Sequence, residues 1–208
     1  MSRLVNDLIR KGYLKTDAII DAFSEIGRIE FVRDEFENDS EADVPFPIGF
    51  GQTISQPLTV AIMFELLDPR KGQNILDVGS GSGWTAALLA YIVRSQGKVT
   101  ALERISQLCE WGKNNAEKFK FVSDGIAEFH CFDGSEGFSK NAPYDRILVS
   151  ATAENIPEML KKQLKVGGKM VIPVHNDIWY LEKKSEDDFY KEEYPGFSFV
   201  PLMTKSSV

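Results

Sequence analysis

The stretch Leu76-Asp77-Val78-Gly79-Ser80-Gly81-Ser82-Gly83-Trp84 decides the fold of this 208-residue chain. The apolar residues of Asn74–Val78 predict a short strand, and the apolar run that begins at Trp84 predicts a helix. The three glycines between them allow a sharp turn and a close approach of the backbone to a ligand. Their G-x-G-x-G spacing differs from the G-x-G-x-x-G of nicotinamide dinucleotide loops. We therefore expect a strand–loop–helix unit with a ligand at the loop.

Strands and helices alternate after this unit. Further strands are predicted at Lys98–Leu102, Ala127–Phe132, Arg146–Ser150 and Lys169–Pro173. Helices of 10–15 residues between strands are typical of an α/β fold with a mostly parallel, doubly wound sheet. Two later strands, near Trp179–Glu182 and Phe197–Leu202, have no helix between them, so they predict an antiparallel hairpin at the edge of the sheet. The first 36 residues predict N-terminal helices, and residues 37–54 predict a loop.

Composition excludes several classes of protein. The net charge of −7 argues against a nucleic-acid binder. No apolar run approaches the roughly 18 residues of a membrane helix, and the N-terminus lacks the apolar core of a signal peptide. Cys109 and Cys131 form no CxxC pair, so neither a disulfide framework nor a zinc site is indicated. We expect a cytoplasmic protein that binds neither nucleic acid, membrane nor metal.

An acidic residue lies at the end of the strand that follows the glycine loop and its helix. Glu103 ends the second predicted strand, 20 residues after Gly83, and a carboxylate there can accept two hydrogen bonds from a ribose diol. Enzymes that use S-adenosylmethionine hold it with this pattern of strand, G-x-G-x-G loop, helix, strand and acid. The candidate cofactor-binding residues are Asp77, Gly79, Ser80, Gly81, Gly83, Glu103, Asp133 and Gly134. A tight turn with a solvated Glu103, and a plain turn at Asp133-Gly134, remain the alternatives.

A second segment narrows the class. Pro47-Ile48-Gly49-Phe50-Gly51-Gln52-Thr53-Ile54-Ser55-Gln56-Pro57 resembles the signature of the protein-L-isoaspartate (D-aspartate) O-methyltransferase family. The resemblance extends over roughly residues 20–203 and includes the glycine loop, Asp133-Gly134 and Phe199-Val200-Pro201-Leu202. It implies a Rossmann-like class I methyltransferase formed by a single domain, residues 1–208. Residues 1–54 would supply the N-terminal helices and active-site loop, and residues 55–208 the core.

The resemblance also implies a repair reaction. The family methylates the free α-carboxylate of L-isoaspartyl residues in damaged proteins and peptides, and the ester then collapses to a succinimide. By this resemblance Ser55 is catalytic, with Thr53 and Ile54 beside it at the cofactor. The alternative is that Ser55 is the N-cap of the helix that begins near Pro57, and the two roles are compatible because a rigid cap also fixes the side chain. A monomer is expected, although the sequence itself does not give the oligomeric state.

Departures from the family pattern leave two other functions open. The segment Ile26–Arg33 keeps Arg28 but lacks both prolines that bacterial members carry there, and Met203 precedes the usual Thr204. The chain could instead methylate a small molecule or an RNA nucleoside, or it could bind the cofactor without catalysis. Ser150-Ala151-Thr152-Ala153 stands where amino-group methyltransferases place Asn/Asp-Pro-Pro-Tyr, which argues against a nitrogen acceptor. A carboxylate acceptor is already ionised at neutral pH, so neither His130 nor His175 is needed as a base.

Overall fold

The structure, a computed structural model, describes residues 1–202. Met203 therefore lies outside the described residues. The helices are α1 Arg3–Arg10, α2 Asp17–Glu25, α3 Pro57–Leu67, α4 Trp84–Val93, α5 Ser106–Glu117 and α6 Glu158–Gln163. The strands are β1 Phe46–Gly49, β2 Gln52–Ile54, β3 Asn74–Val78, β4 Lys98–Glu103, β5 Ala127–Cys131, β6 Tyr144–Val149, β7 Leu164–Val174, β8 Asp177–Lys183 and β9 Phe189–Pro195. Short 3₁₀ turns at Arg28–Phe31 and Asp34–Asp39 link the N-terminal helices to β1.

Seven strands form the main sheet, in the order β5-β4-β3-β6-β7-β8-β9. The five strands from β5 to β7 are parallel, whereas β8 and β9 each run antiparallel to the preceding strand. The predicted mostly parallel α/β sheet with an antiparallel edge is thereby confirmed. The strand order reverses beside β3, which has β4 on one side and β6 on the other. Ligands of such sheets bind at the carboxyl ends of the strands at this reversal.

The helix that follows the glycine loop lies in the middle of the core. Nine of the ten residues of α4 are buried, because the helix packs against the sheet, α2 and α5. Side chains of α1, α2 and α3, such as Leu8, Ile19 and Phe64, belong to the same buried cluster. Burial of each such side chain contributes about 1.5–3 kcal/mol. The loop that precedes α4 is thus attached to a rigid core.

The predicted edge hairpin has a different second strand. β8 pairs with β9 at Phe189–Pro195, so the prediction of a strand at Phe197–Leu202 was wrong. That segment forms only an isolated bridge between Thr152 and Pro201. β9 was missed because it is an edge strand exposed on both faces, and its charged residues show no apolar alternation.

The segment predicted as a loop also contains regular structure. β1 and β2 form a two-stranded antiparallel hairpin within residues 37–54. Ser55 is not the N-cap of α3, because Gln56 occupies that position and Pro57 begins the helix. The backbone N–H of Leu58 in the first turn instead donates to Oδ1 of Asp43, at 2.8 Å. The hydroxyl of Ser55 is therefore not used to cap the helix.

Candidate active site

A cavity of about 470 Å³ opens at the carboxyl ends of β3, β4 and β6. Its walls are the glycine loop, the end of β4, the β1–β2 hairpin and residues 200–202. This volume lies within the usual range for sites that bind small molecules, roughly 300–1,000 Å³. The cavity also occupies the expected place in the fold, at the reversal of strand order.

The glycine loop is held against β4 by backbone hydrogen bonds. The N–H groups of Gly79 and Ser80 donate to the carbonyl of Leu102, at 2.8 and 3.0 Å. At the end of the loop Gly83 has a φ of 86°, and a Cβ there would lie 2.5 Å from the carbonyl oxygen of Gly112 in α5. Only glycine fits both this backbone conformation and this close approach. The contact brings α4 and α5 together directly behind the cavity.

Glu103 presents a rigid carboxylate to the cavity. Its Oε2 accepts a hydrogen bond from the N–H of Gly81 at 3.0 Å, and its Oε1 accepts one from the N–H of Ile105 at 2.9 Å. The residue is only 8% exposed and lines the cavity wall. Each carboxylate oxygen has a second lone pair that can accept a further hydrogen bond. This arrangement suits a ribose diol.

Two further features fit S-adenosylmethionine to the cavity. The hydroxyl of Ser80 lines the wall and is buried without a hydrogen-bond partner among the described residues, and a buried polar atom of this kind normally has a partner. A Cβ on Gly134 would lie 2.4 Å from Cγ1 of Val78, so glycine allows these two residues to approach closely at the cavity wall. An apolar wall of this kind suits the face of an adenine ring, and Ser80 supplies a polar group.

The structure brings together eight of the predicted site residues. The cavity is lined by Thr53, Ile54, Ser55, Gly79, Ser80, Gly81, Glu103 and Gly134. Asp77, Gly83 and Asp133 do not line it. Asp77 is fully buried behind the loop, and the Oδ1 of Asp133 accepts hydrogen bonds from the N–H and hydroxyl of Ser135. Each of the three is next in sequence to a residue that lines the cavity.

Sequence reasoning missed several residues of the walls. Ile48 and Phe50 of the hairpin, and Val200 and Leu202 near the C-terminus, also line the cavity. The first two lie inside the signature segment, which pointed to the region but not to these side chains. The C-terminal pair is brought to the site by the bridge to Thr152, and no local pattern signals such a contact.

Asp77, which directly precedes the glycine loop in β3, has a pKa far above the usual value of an aspartate. Burial raises its pKa to about 7. A hydrogen bond of 2.7 Å from the hydroxyl of Thr85 opposes that rise, and the charge of Glu103 adds to it. A folded-state pKa above that of the unfolded chain means that the folded state binds the proton more tightly. Stability is therefore expected to fall as the pH rises from about 4 to about 7.

Replacing Asp77 with asparagine is expected to remove this part of the pH dependence. The isosteric amide keeps the bond to Thr85 but cannot ionise, so at pH 8 the variant should unfold at a higher temperature than the parent chain. The gain is at most about 4 kcal/mol, for a pKa difference of about three units. Thermal unfolding of the ligand-free protein between pH 5 and 8 measures it, since a bound cation would lower the pKa of Asp77. An unchanged pH slope in Asp77→Asn would contradict the assignment.

A second cavity adjoins the first. It has a volume of about 570 Å³ and shares four wall residues with the first cavity: Thr53, Ser55, Ser150 and Val200. Its other walls include Pro45, Leu58, Phe197 and Phe199. Ser55 thus lies on the boundary between two cavities, where groups bound in each would meet.

Neither histidine lines either cavity. The Nε2 of His130 lies 3.1 Å from Oε1 of Glu128 on β5, and its ring stacks on Phe138. His175 lies in the turn between β7 and β8, and its carbonyl accepts a hydrogen bond from Thr152. Within residues 1–202 no group of three or more His, Cys, Asp or Glu side chains is arranged to hold a metal ion.

The comparisons with known proteins agree with this geometry. The family model described as Protein-L-isoaspartate(D-aspartate) O-methyltransferase matches residues 1–207. The chain belongs to this family. A Methanopyrus kandleri protein-L-isoaspartate O-methyltransferase is 43% identical over 205 residues, which cover 97% of this chain and 90% of the relative. The Thermococcus sibiricus protein of the same name is 43% identical over 209 residues, covering 97% and 92%.

Solved structures show the same fold. A Plasmodium falciparum structure described as a protein-L-isoaspartate O-methyltransferase in complex with S-adenosyl-L-homocysteine superposes with a TM-score of 0.84, at 24% identity and 96% coverage of both chains. Another structure of that name superposes with a TM-score of 0.87, at 27% identity, covering 97% of this chain and 65% of the other. Membership of the isoaspartate O-methyltransferase family makes this chain an enzyme whose methyl donor is S-adenosylmethionine.

Proposed function

We propose that this isoaspartate O-methyltransferase transfers the methyl group to the free α-carboxylate of L-isoaspartyl residues at a site formed by Ser55. One observation carries the proposal: Ser55 lies on the wall shared by the two adjoining cavities. The cavity beside Glu103 takes the cofactor, and the cavity lined by Phe197 and Phe199 takes the acceptor peptide. The Ser55 hydroxyl, free of the capping role, is then available to the acceptor carboxylate.

The cofactor-binding roles are part of this proposal. Glu103 accepts hydrogen bonds from the ribose, Ser80 and the backbone of Gly79–Gly81 contact the methionine part, and Gly134 lies against the adenine. Thr53 and Ile54 complete the wall on the acceptor side. Asp77, Gly83 and Asp133 act indirectly, because they hold the loop and the strand ends in place.

Methyl transfer to a carboxylate requires residues that position the two reactants, and it requires no residue that transfers a proton. When bound, S-adenosylmethionine supplies an electrophilic methyl group on a sulfonium. A carboxylate with a pKa of about 3.3–3.7 is already ionised at neutral pH, so no base has to act, in agreement with the absence of histidine from both cavities. Opposite charges neutralise each other as the methyl group moves, so alignment and exclusion of water supply most of the rate.

The oligomeric state, partners, location and domain organisation of the protein are also proposed. The protein is taken to act as a monomer. The net charge of −7 supports the absence of nucleic-acid and membrane partners, and two free thiols suit the reducing cytoplasm. In the part of the chain that the structure describes, no helix has both the length and the apolar character to cross a bilayer. Residues 1–54 and 55–208 act as one catalytic domain, supported by their shared buried cluster.

A methyl-transfer assay tests the proposed function. Labelled S-adenosylmethionine is supplied with an isoaspartyl peptide, and the peptide of the same sequence with normal aspartate is the control. We expect base-labile methyl esters only with the isoaspartyl peptide. Transfer to neither peptide, together with normal cofactor binding, would favour a protein without this activity, and transfer to RNA or a small molecule would favour the other alternative.

Replacing Ser55 with alanine is expected to lower kcat and kcat/KM together by about tenfold, with little change in cofactor affinity. An interaction made mainly in the transition state has this effect, and the loss corresponds to about 1.4 kcal/mol. Because Ser55 does not cap α3, the variant should unfold within about 2 °C of the parent.

Ser24→Ala serves as the control, since the Ser24 hydroxyl donates to the carbonyl of Ile20, within α2. Steady-state kinetics with the isoaspartyl peptide, normalised to folded protein, makes the comparison. Normal turnover in Ser55→Ala would remove the residue from the transfer site.

A further inference from the structure

A single buried guanidinium ties together the segment that carries Ser55. Arg28, which is 5% exposed, lies in the 3₁₀ turn before β1. Its Nη1 donates to the carbonyls of Ser40 and Ala42, at 3.3 and 3.1 Å. Its Nη2 donates to the carbonyls of Val44 and Ser55, at 2.8 and 3.1 Å. One side chain thus joins four carbonyl groups that are separated by up to 15 residues of sequence.

Aromatic rings enclose the same guanidinium. Its carbon lies 5.0 Å from the ring centre of Phe46 in β1 and 5.5 Å from that of Trp84 at the start of α4. Arg28 forms no ion pair within 4.0 Å among residues 1–202, and its Nε is buried without a partner there. Burial of a charge that forms no close ion pair is costly to the fold. The side chain that carries this cost contacts Ser55, Phe46 of β1 and Trp84 of α4.

The position of Ser55 depends on this connection. Ser55 precedes the start of α3 at Pro57, and its backbone is held on the other side by the bond from Arg28 to its own carbonyl. Without that bond Ser55 and the preceding hairpin would gain freedom along the boundary of the two cavities. A displacement of about 1 Å at a reacting centre can cost about a hundredfold in rate.

We propose that Arg28 is a positioning residue for methyl transfer: its guanidinium fixes the Ser55 backbone so that the acceptor cavity stays aligned with the cofactor cavity. The inference rests on the role of Ser55 in the proposed function. It does not assign Arg28 a contact with substrate or cofactor, because Arg28 lines neither cavity.

The chain offers a control in Arg146, which is 7% exposed on β6. Unlike Arg28 it forms an ion pair, because its Nη2 lies 3.8 Å from Oδ2 of Asp68. Its Nε donates to the carbonyl of Asp68 at 3.1 Å, and its Nη1 donates to the carbonyl of Asp145 at 2.8 Å. Arg146 lies near the amino end of β6, whereas the cavity lies at the carboxyl end. A lysine at either position keeps the charge but loses the planar set of donors.

The experiment compares Arg28→Lys with Arg146→Lys in the full-length protein. Four quantities are measured: kcat and KM for the isoaspartyl peptide, Kd for S-adenosylhomocysteine by calorimetry, Tm, and amide hydrogen exchange of residues 40–56. We expect Arg28→Lys to lower kcat at least tenfold, to keep Kd within threefold and to speed exchange in residues 40–56. Arg146→Lys should lower Tm by about as much as Arg28→Lys does. Its kcat per folded molecule should stay within twofold of the parent value, and its exchange in residues 40–56 should be unchanged.

Each other result overturns the proposal. A kcat for Arg28→Lys within twofold of the parent would leave Arg28 a structural role only, and a tenfold loss of cofactor affinity would place its effect on the cofactor. Arg28→Met, which removes the donors, should lower kcat further. If Arg28→Met does not fold, the result for Arg28→Lys alone tests the positioning role.

Hydrogen exchange separates this inference from the proposed function, because exchange does not depend on which acceptor the enzyme methylates. If the parent chain fails to methylate isoaspartyl peptide, the proposed function fails, and unchanged exchange in Arg28→Lys separately overturns the positioning role.

Discussion

Replacing Glu103 with alanine is expected to weaken the binding of S-adenosylhomocysteine by about 10–150-fold. A hydrogen bond to a charged group contributes about 1.5–3 kcal/mol, and each 1.4 kcal/mol corresponds to a tenfold change in Kd. Glu103 is positioned for this contact by the N–H groups of Gly81 and Ile105, which fix both of its oxygens at the cavity wall. Removal of the Glu103 side chain also breaks the hydrogen bond from Gly81 of the glycine loop, and this loss is expected to weaken binding further.

Titration calorimetry on the folded variant measures this effect, with Glu128→Ala as the control. Glu128 lies on the adjacent strand β5 and pairs with Lys98 and His130, away from the cavity. Its loss should leave Kd within about twofold and affect only stability. Unchanged affinity in Glu103→Ala would remove this residue from the cofactor site.

Replacing Gly83 with alanine is expected to lower the free energy of unfolding by about 2–6 kcal/mol. The left-handed φ of 86° costs a residue with a Cβ about 1–3 kcal/mol. The new Cβ would also meet the backbone carbonyl of Gly112 at 2.5 Å, and separating α4 from α5 adds about 1–3 kcal/mol. For a chain of this size, in which 1 kcal/mol corresponds to about 2–4 °C, Tm should fall by roughly 4–24 °C.

Gly125→Ala separates the two contributions. Gly125 also has a positive φ, 72°, but nothing lies within 4 Å of a Cβ built on it. This variant should therefore lose only the cost of backbone strain, about 1–3 kcal/mol. Equal losses in the two variants, measured by urea unfolding, would show that the close approach of α4 and α5 adds nothing.

The parallel core could be predicted from sequence because its signals are local. Strands buried on both faces show as short apolar runs, and the glycine spacing marks the turn into α4. β9 could not be predicted in this way, because its stability comes from pairing with β8 rather than from burial. β1 and β2 were missed for a similar reason. Proline and glycine within Phe46–Ile54 favour the prediction of a loop, whereas the segment is held by pairing of the two strands and by Arg33, which donates to the carbonyl of Ile48.

In the candidate site, too, residues with a local sequence signal could be predicted and residues that depend on folding could not. Glu103 and the glycine loop lie near one another in sequence, so their spacing predicts that they share a ligand. Asp77 belongs to the same motif as the glycine loop but is fully buried, and a pattern of residue types does not distinguish a side chain that faces the cavity from one that faces the core. The shared wall at Ser55 depends on the C-terminal segment, which only the folded chain brings to the site.

The bridge between Thr152 and residues 200–202 has a consequence for when the enzyme becomes competent. The N–H of Thr152 donates to the carbonyl of Val200 at 2.8 Å, and the N–H of Leu202 donates to the carbonyl of Thr152 at 2.7 Å. The same cavity is closed on its other side by the hairpin that begins at Phe46. Because its walls include residues 48–55 as well as residues 200–202, a growing polypeptide cannot complete the cavity before residue 202 has been synthesised. By mass action, a cofactor that binds only the completed cavity stabilises the whole chain against global unfolding, by RT ln(1 + [L]/Kd).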